Sequence, residues 1–195
     1  DSLVYRRDSA RGKQMLVWVD RNGGEKPVGL PSAQYSHPAI SPDGDLLAIT
    51  KRSEYGPDLW THSLSRGEAT QWTFDESRET AKTWSPNGAD LYFESGSPSN
   101  VYRVALGGNG KVEQLTNQTD GGWFPGSITP DGRYLLITEW PSPVADGRNI
   151  VELDLDGQNG SRYLMQTDYH ESHLKLSPDG TLLAYMTNRS GSMEI

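Results

Sequence analysis

The stretch Ser41-Pro42-Asp43-Gly44-Asp45-Leu46-Leu47-Ala48-Ile49 decides the fold. Proline fixes φ at the second position of a type I turn, aspartate suits the third, and glycine supplies the positive φ needed at the fourth. Such a tetrapeptide closes a β-hairpin with a bulge, and the apolar run behind it begins the returning strand. The tetrapeptide comes back as Ser85-Pro86-Asn87-Gly88, Thr129-Pro130-Asp131-Gly132 and Ser177-Pro178-Asp179-Gly180, at steps of 44, 44 and 48 residues. A unit repeated at a near-constant step of this length marks a repeat architecture.

Each turn is followed by a short apolar run: Leu46-Leu47-Ala48-Ile49, Leu91-Tyr92-Phe93, Tyr134-Leu135-Leu136-Ile137 and Leu182-Leu183-Ala184-Tyr185-Met186. Runs this short, bounded by turns and without strict alternation, suit strands covered on both faces. Segments such as Pro38-Ala39-Ile40 and His173-Leu174-Lys175-Leu176 precede the turns and can pair across them. A third element follows at Asp58-Leu59-Trp60, Asn100-Val101-Tyr102 and Asn149-Ile150-Val151, and a fourth at Ala69-Thr70-Gln71-Trp72, Val112-Glu113-Gln114-Leu115 and Arg162-Tyr163-Leu164-Met165. Gly107-Gly108-Asn109-Gly110 and Asp156-Gly157-Gln158-Asn159-Gly160 link those two elements. The one segment with room for a helical turn is Asp75 to Thr83.

Four short antiparallel strands every forty-odd residues predict an all-β β-propeller. Counting from the turns places a partial blade at 1–32, full blades at 33–75, 76–119 and 120–168, and a second partial blade at 169–195. In the first partial blade, Leu3-Val4-Tyr5 would be the second strand and Leu16-Val17-Trp18 the third. Incomplete end blades expose sheet faces and strand edges. The expectation is therefore a fragment of a longer propeller, forming a partial ring or a ring closed by self-assembly. Closure within one chain would give a small ring of about four blades, and a symmetric pair of half-rings about eight. A purely structural half-propeller is the third possibility.

These turns and strands, with the ending Gln114-Leu115-Thr116, resemble the propeller repeats of the TolB type. Leu3-Val4-Tyr5, Leu16-Val17-Trp18-Val19-Asp20-Arg21 and Glu25-Lys26-Pro27 are similar to propellers carried C-terminal to the kinase domain of bacterial serine/threonine protein kinases. The resemblance covers essentially the whole chain and is more specific for fold than for function. It implies a module for protein interaction or ligand sensing in a periplasmic or other extracytoplasmic setting. The kinase signature set is absent, so phosphoryl transfer by this chain is not implied. The competing implication is the propeller of a prolyl-oligopeptidase-like or other propeller hydrolase.

Composition narrows the classes further. With 18 Lys plus Arg against 26 Asp plus Glu, the net charge of −8 has the wrong sign for binding a phosphate backbone. The lack of Cys removes disulfide scaffolds, thiolate nucleophiles and zinc-thiolate sites. No apolar run approaches the roughly 20 residues of a spanning helix, so membrane insertion by a helix is not expected. No G-x-S-x-G elbow, Walker loop or dinucleotide fingerprint occurs, and no catalytic residue or cofactor is expected.

Candidate binding residues come from the segments that lead into the innermost strands, which rim a propeller's channel. His37 and His173 each stand four residues before their turns. Tyr35, Arg78, Glu79, Trp123, Phe124, Tyr169, His170 and Glu171 are expected at the same channel mouth, where a protein partner or small ligand would bind. His170-Glu171-Ser172-His173 is one residue short of the zincin H-E-x-x-H, whose histidines need i, i+4 spacing on a helix, so no metal is expected. Asp154-Leu155-Asp156-Gly157-Gln158-Asn159-Gly160 lacks the distal Glu of a calcium loop and reads as a turn. Asn117-Gln118-Thr119, Asn159-Gly160-Ser161 and Asn188-Arg189-Ser190 match the glycosylation pattern but read as loops in a bacterial setting. Trp60, Trp72 and Trp84 are expected in the core between blades. Trp123 and Trp140 fit strands less well, and Trp123 is the expected exposed anchor.

Overall fold

The computed structural model describes residues 3–8, 14–54, 56–74, 76–107, 110–141 and 147–195, with the backbone alone described for 3–8, 81 and 82. The chain divides into two compact units, Asp1–Ala81 and Lys82–Ile195. Among the described residues the secondary structure is all β, in agreement with the propeller expectation, and no helix is long and apolar enough to cross a membrane.

A three-stranded sheet runs β1 (Leu3–Asp8), β2 (Gln14–Val19), β3 (Glu25–Pro27). A four-stranded sheet follows, in the order β4 (Tyr35–Ile40), β5 (Leu46–Arg52), β6 (Pro57–Ser63), β7 (Ala69–Gln71). The next contains β8 (Thr80–Trp84), β9 (Asp90–Ser95), β10 (Asn100–Ala105) and β11 (Val112–Gln114), and the next β12 (Gly122–Ile128), β13 (Tyr134–Trp140), β14 (Asn149–Asp154) and β15 (Ser161–Met165). The hairpin β16 (Ser172–Leu176), β17 (Leu183–Met186) completes the described strands. The pairings resolved between neighbouring strands are antiparallel. The helical turn expected from Asp75 to Thr83 is not formed: Glu76 and Ser77 bend, and Thr80–Trp84 is strand β8. The β-branched Thr80 and Thr83 favour the strand, and the Glu79 amide is already engaged by the Pro57 carbonyl at 3.3 Å. Asp75 lies outside the described residues, as do Gly108 and Asn109 of one expected link.

All four Pro-Gly corners are built alike. The amides of Gly44, Gly88, Gly132 and Gly180 donate to the carbonyls of Ser41, Ser85, Thr129 and Ser177 at 2.8–2.9 Å, and each glycine has φ between +70° and +79°. The hydroxyl of Ser41 donates to Asp43 Oδ1 at 2.5 Å and accepts the Leu46 amide at 2.9 Å, while Asp43 Oδ1 also accepts the Asp45 amide. Asn87 makes the same bonds in the second corner. These bonds favour the carboxylate, so the hydroxyl of Ser41 and that of Thr129 hold Asp43 and Asp131 below the usual range, and Ser177 with Thr181 takes Asp179 to about 2. Their stabilisation is therefore complete above the ordinary carboxylate pKa of 3.8 and is lost as pH falls from there towards 2. Converting Asp43, Asp131 and Asp179 to asparagine, which as at Asn87 keeps the hydrogen bonds but not the charge, should lower the unfolding temperature modestly near neutrality and flatten its decline between about pH 4 and pH 2. Equal acid slopes for the two proteins, followed by circular dichroism, would refute this account of the corners.

Because strands are covered on both faces, consecutive residues of one strand serve different cores. In the first unit Leu16, Tyr35, Leu47 and Ile49 pack together, with Trp18 and Trp60 against them. In the second, Leu135 and Ile137 join Tyr92, Val101, Trp123 and Val151, whereas Leu136 turns the other way to Ile150 and Leu174. Each buried Leu or Ile contributes roughly 1.5–3 kcal/mol by leaving water.

Candidate functional site

One position of the repeat organises the candidate sites. Tyr35, Glu79, Trp123 and Glu171 each stand six residues before their turn, and all are buried. Each hangs by its amide from the preceding repeat: Glu79 on the Pro57 carbonyl, Trp123 on Ser99 at 2.9 Å, Glu171 on Arg148 at 3.1 Å, and Tyr35 on the Gln14 side-chain carbonyl at 3.0 Å. The buried carboxylates are satisfied locally. Thr73 Oγ1 donates to Glu79 at 3.1 Å, and Thr167 and Thr187 donate to the two oxygens of Glu171.

Just beyond this position the innermost strands bulge. The register of β4 shifts between Ser36 and Ala39, that of β12 between Pro125 and Ser127, and that of β16 between Ser172 and Lys175. His37 and His173 sit in two of these bulges with φ of 51° and 55°, in the left-handed region that non-glycine residues seldom adopt. Both are exposed, and His173 Nδ1 lies 3.0 Å from Ser172 Oγ. A bulge at this place re-aims side chains next to the strand.

Two clefts open beside the bulges, one in each unit. The first, of about 530 Å³, is lined by Tyr35, Ser36, Thr50, Arg52, Pro57, Arg78 and Glu79 together with Gln14 and Gln34. Burial pushes the Tyr35 phenol up, and its hydroxyl donates to the Pro31 carbonyl at 2.6 Å. The second, of about 610 Å³, is lined by Phe124, Thr138, Trp140, Arg148, Ser172, His173 and Lys175, with Glu94 on β9 and with Pro125, Gly126 and Leu174. Counted from the turns, Phe124 corresponds to Ser36, Thr138 to Thr50, Trp140 to Arg52 and Ser172 to Thr80, and by the register of the second and third strands Arg148, just before Asn149, matches Pro57, just before Asp58. The two clefts are thus the same place in the repeat, polar in one unit and walled by aromatic rings in the other.

In the second cleft the Arg148 guanidinium lies 4.8 Å over the Trp140 ring, and Trp140 is 42% exposed. The Arg148 amide donates to the Tyr169 carbonyl at 2.9 Å, fixing where this side chain starts. Phe124 has its ring over Gly122, where a Cβ would come within 3.0 Å of it. Gly126 lets β12 and β16 approach closely, since a Cβ there would meet Leu174 at 3.0 Å. Behind Trp140, buried Glu139 receives Trp123 Nε1 and the Tyr163 hydroxyl on Oε1, each at 3.1 Å, and Asn149 Nδ2 on Oε2 at 2.8 Å.

The residues expected at one mouth are therefore distributed. Tyr35, Arg78 and Glu79 meet in the first unit's cleft, and Phe124 and His173 in the second's. His37 lines neither. Tyr169 is exposed with the Arg189 guanidinium 5.9 Å over its ring, His170 is half-buried with its amide on Asn188 Oδ1, and Glu171 is buried. Trp123 is not the exposed anchor expected of it: it is 8% exposed, packed in the core with its indole N–H on Glu139. Trp140 takes that place, and sequence reasoning also missed Arg148, Glu94 and Lys175. Asp154 caps its turn by accepting the amides of Asp156 and Asn159. Trp84 is buried, and Trp60 and Trp72 are half-buried.

This arrangement of antiparallel sheets has counterparts among known proteins. The uncharacterised protein Atu1656 of Agrobacterium fabrum is 26% identical over 193 residues, which cover 90% of this chain and 62% of that protein. The uncharacterised peptidase YuxL of Bacillus subtilis is 31% identical over 110 residues, 52% of this chain and 16% of that protein. TolB from Acinetobacter baumannii superposes with a TM-score of 0.72 at 22% identity, over 95% of this chain and 45% of TolB. The chain spans less than two thirds of the length of each. Residues 8–195 match the model of the TolB beta propeller domain, PD40, and with nearly the whole chain covered the protein belongs to that family.

Proposed function

We propose that the chain is a non-catalytic propeller module that holds a small ligand or a segment of a partner protein in the cleft of its second unit. What supports this reading is the divergence of that cleft from its counterpart in the first unit. The fold makes the same demands at both places, yet one carries Ser36, Arg52 and Pro57 where the other carries Phe124, Trp140 and Arg148. Apolar walls with a few convergent polar groups suit a ligand site, and the volume lies within the usual range of about 300–1,000 Å³. The resemblance of the N-terminal strands to kinase-attached propellers supports a sensing role beside a catalytic domain. The match to the Bacillus peptidase favours a second reading, in which the propeller filters access to a separate hydrolase domain.

The isolated chain should hydrolyse neither p-nitrophenyl acetate nor a chromogenic peptide above the buffer rate, and the His37→Ala/His173→Ala protein should behave identically. Turnover that disappears in that double variant would overturn the non-catalytic reading and place chemistry at the bulge histidines.

A further inference from the structure

We propose that the cleft beside Trp140 takes a monoanionic carboxylate joined to a planar apolar group, supplied by a small aromatic acid or by the aromatic last residue of a peptide. This names the ligand class for the binding reading above and rests on it. In a chain of net charge −8, several cations of the second unit lie against acids: Arg103 on Glu113 at 2.7 Å, Arg162 on Glu152 at 2.6 Å, Arg133 on Asp154 at 3.6 Å. Arg148 and Lys175 both line the aromatic cleft, and neither has an ion pair among the described residues. Two cations without an ion pair in one cleft, in excess over its single acid, attract an anion.

The contact with the Trp140 ring holds the Arg148 guanidinium in the cleft, where its terminal N–H groups can meet a planar acceptor. The buried Arg148 Nε has no hydrogen-bond partner, which leaves the guanidinium anchored by the ring alone. Phe124 and the free part of the Trp140 ring supply apolar walls for the rest of the ligand. Glu94 lines the same cleft, so Arg148 and Lys175 set against this one carboxylate leave one positive charge in excess. That balance suits a single carboxylate and opposes a dianionic phosphate.

Calorimetric titration of the whole chain with N-acetylphenylalanine, phenylacetate, N-acetylphenylalaninamide and phenyl phosphate tests the assignment. The two carboxylates should bind at least about tenfold more tightly than the amide and the phosphate. Tighter binding of N-acetylphenylalanine than of phenylacetate points to a peptide terminus, the reverse to a small acid. Arg148→Met, which keeps the stem on the indole, should weaken the carboxylates about tenfold, and Lys175→Met severalfold. Arg52→Ala in the counterpart cleft should change nothing. Raising the salt concentration should weaken binding in the native protein. Equal affinity for acid and amide, lost on Trp140→Ala, would overturn the carboxylate assignment while leaving the binding module intact. Failure of every probe to bind at about 10 mM would overturn the inference outright. Should Arg148→Met unfold, salt-independent binding in the native protein or unaltered affinity in Lys175→Met would do the same.

Discussion

Replacing Glu139 by alanine is expected to lower the unfolding free energy of the Lys82–Ile195 unit by about 3–5 kcal/mol. The carboxylate accepts three donors from three different strands, Trp123 on β12, Asn149 on β14 and Tyr163 on β15. Tyr163 is 49% exposed and can turn its hydroxyl to water, but Trp123 and Asn149 are at most 8% exposed and would be left with unmatched N–H groups. Each such orphan costs about 1–3 kcal/mol, and hydrogen bonds to a charged acceptor lie at the upper end of the range. Glu139→Gln should cost far less, on the order of 1 kcal/mol. Its carbonyl can keep Trp123 and Tyr163, and Asn149 can turn its own amide over to present an oxygen to the new N–H groups. Urea unfolding followed by tryptophan fluorescence separates the two variants. If alanine and glutamine cost the same, the donors are finding other partners and the carboxylate does not hold the three strands.

The same network shows why the fold was readable and the cleft was not. The hairpin corners follow from local chemistry, because proline, aspartate and glycine each impose their own conformation wherever they occur, and four copies at one period leave little choice of architecture. Burial at the position six before each turn is a property of the packing between repeats. Glu79 and Glu171 occupy it, so hydropathy points to the surface, yet threonine hydroxyls and carbonyls of neighbouring strands satisfy these residues in the interior. Trp123 was misplaced for the same reason: its fate depends on an acceptor sixteen residues away at Glu139. Trp140 and Arg148 stand eight residues apart in the sequence, and no periodicity announces that they meet. A signal was nonetheless present, since Trp140 stands eleven residues past the first residue of its turn, where the preceding full repeat of the other unit has Arg52. Comparing repeats position by position finds the aromatic cleft as a departure from the pattern, whereas a search for known motifs passes over it. The helical turn expected near Thr80 failed because a strand already provided by the repeat outweighs a weak local preference.

Gly121→Ala should be the most damaging small change near the cleft. Gly121 has φ of +67°, which costs an alanine about 1–2 kcal/mol by itself. The added Cβ would also lie 1.9 Å from the Trp140 carbonyl oxygen and 2.8 Å from both C and O of Pro141. These are backbone atoms, so no side chain can swing aside to make room. Relief requires the ends of β12 and β13 to separate, which disturbs the pairing of Gly122 with Trp140 and moves the ring that stacks on Arg148. The total should reach about 3 kcal/mol or more, beyond the strain of the left-handed conformation alone. Gly157→Ala provides the internal reference, because Gly157 has φ of +72° in the same unit and a Cβ there meets nothing within 4 Å. That variant should lose only the conformational part, about 1–2 kcal/mol. The difference between the two, read from urea midpoints, measures how rigidly the Trp140 carbonyl is held. Indistinguishable midpoints would mean that the strand ends yield at little cost and that the floor of the cleft is not fixed by the sheet. A large difference would mean that the platform under Arg148 is set before any ligand arrives, so that binding there orders little of the protein and the affinity of a small acid is spent on contact.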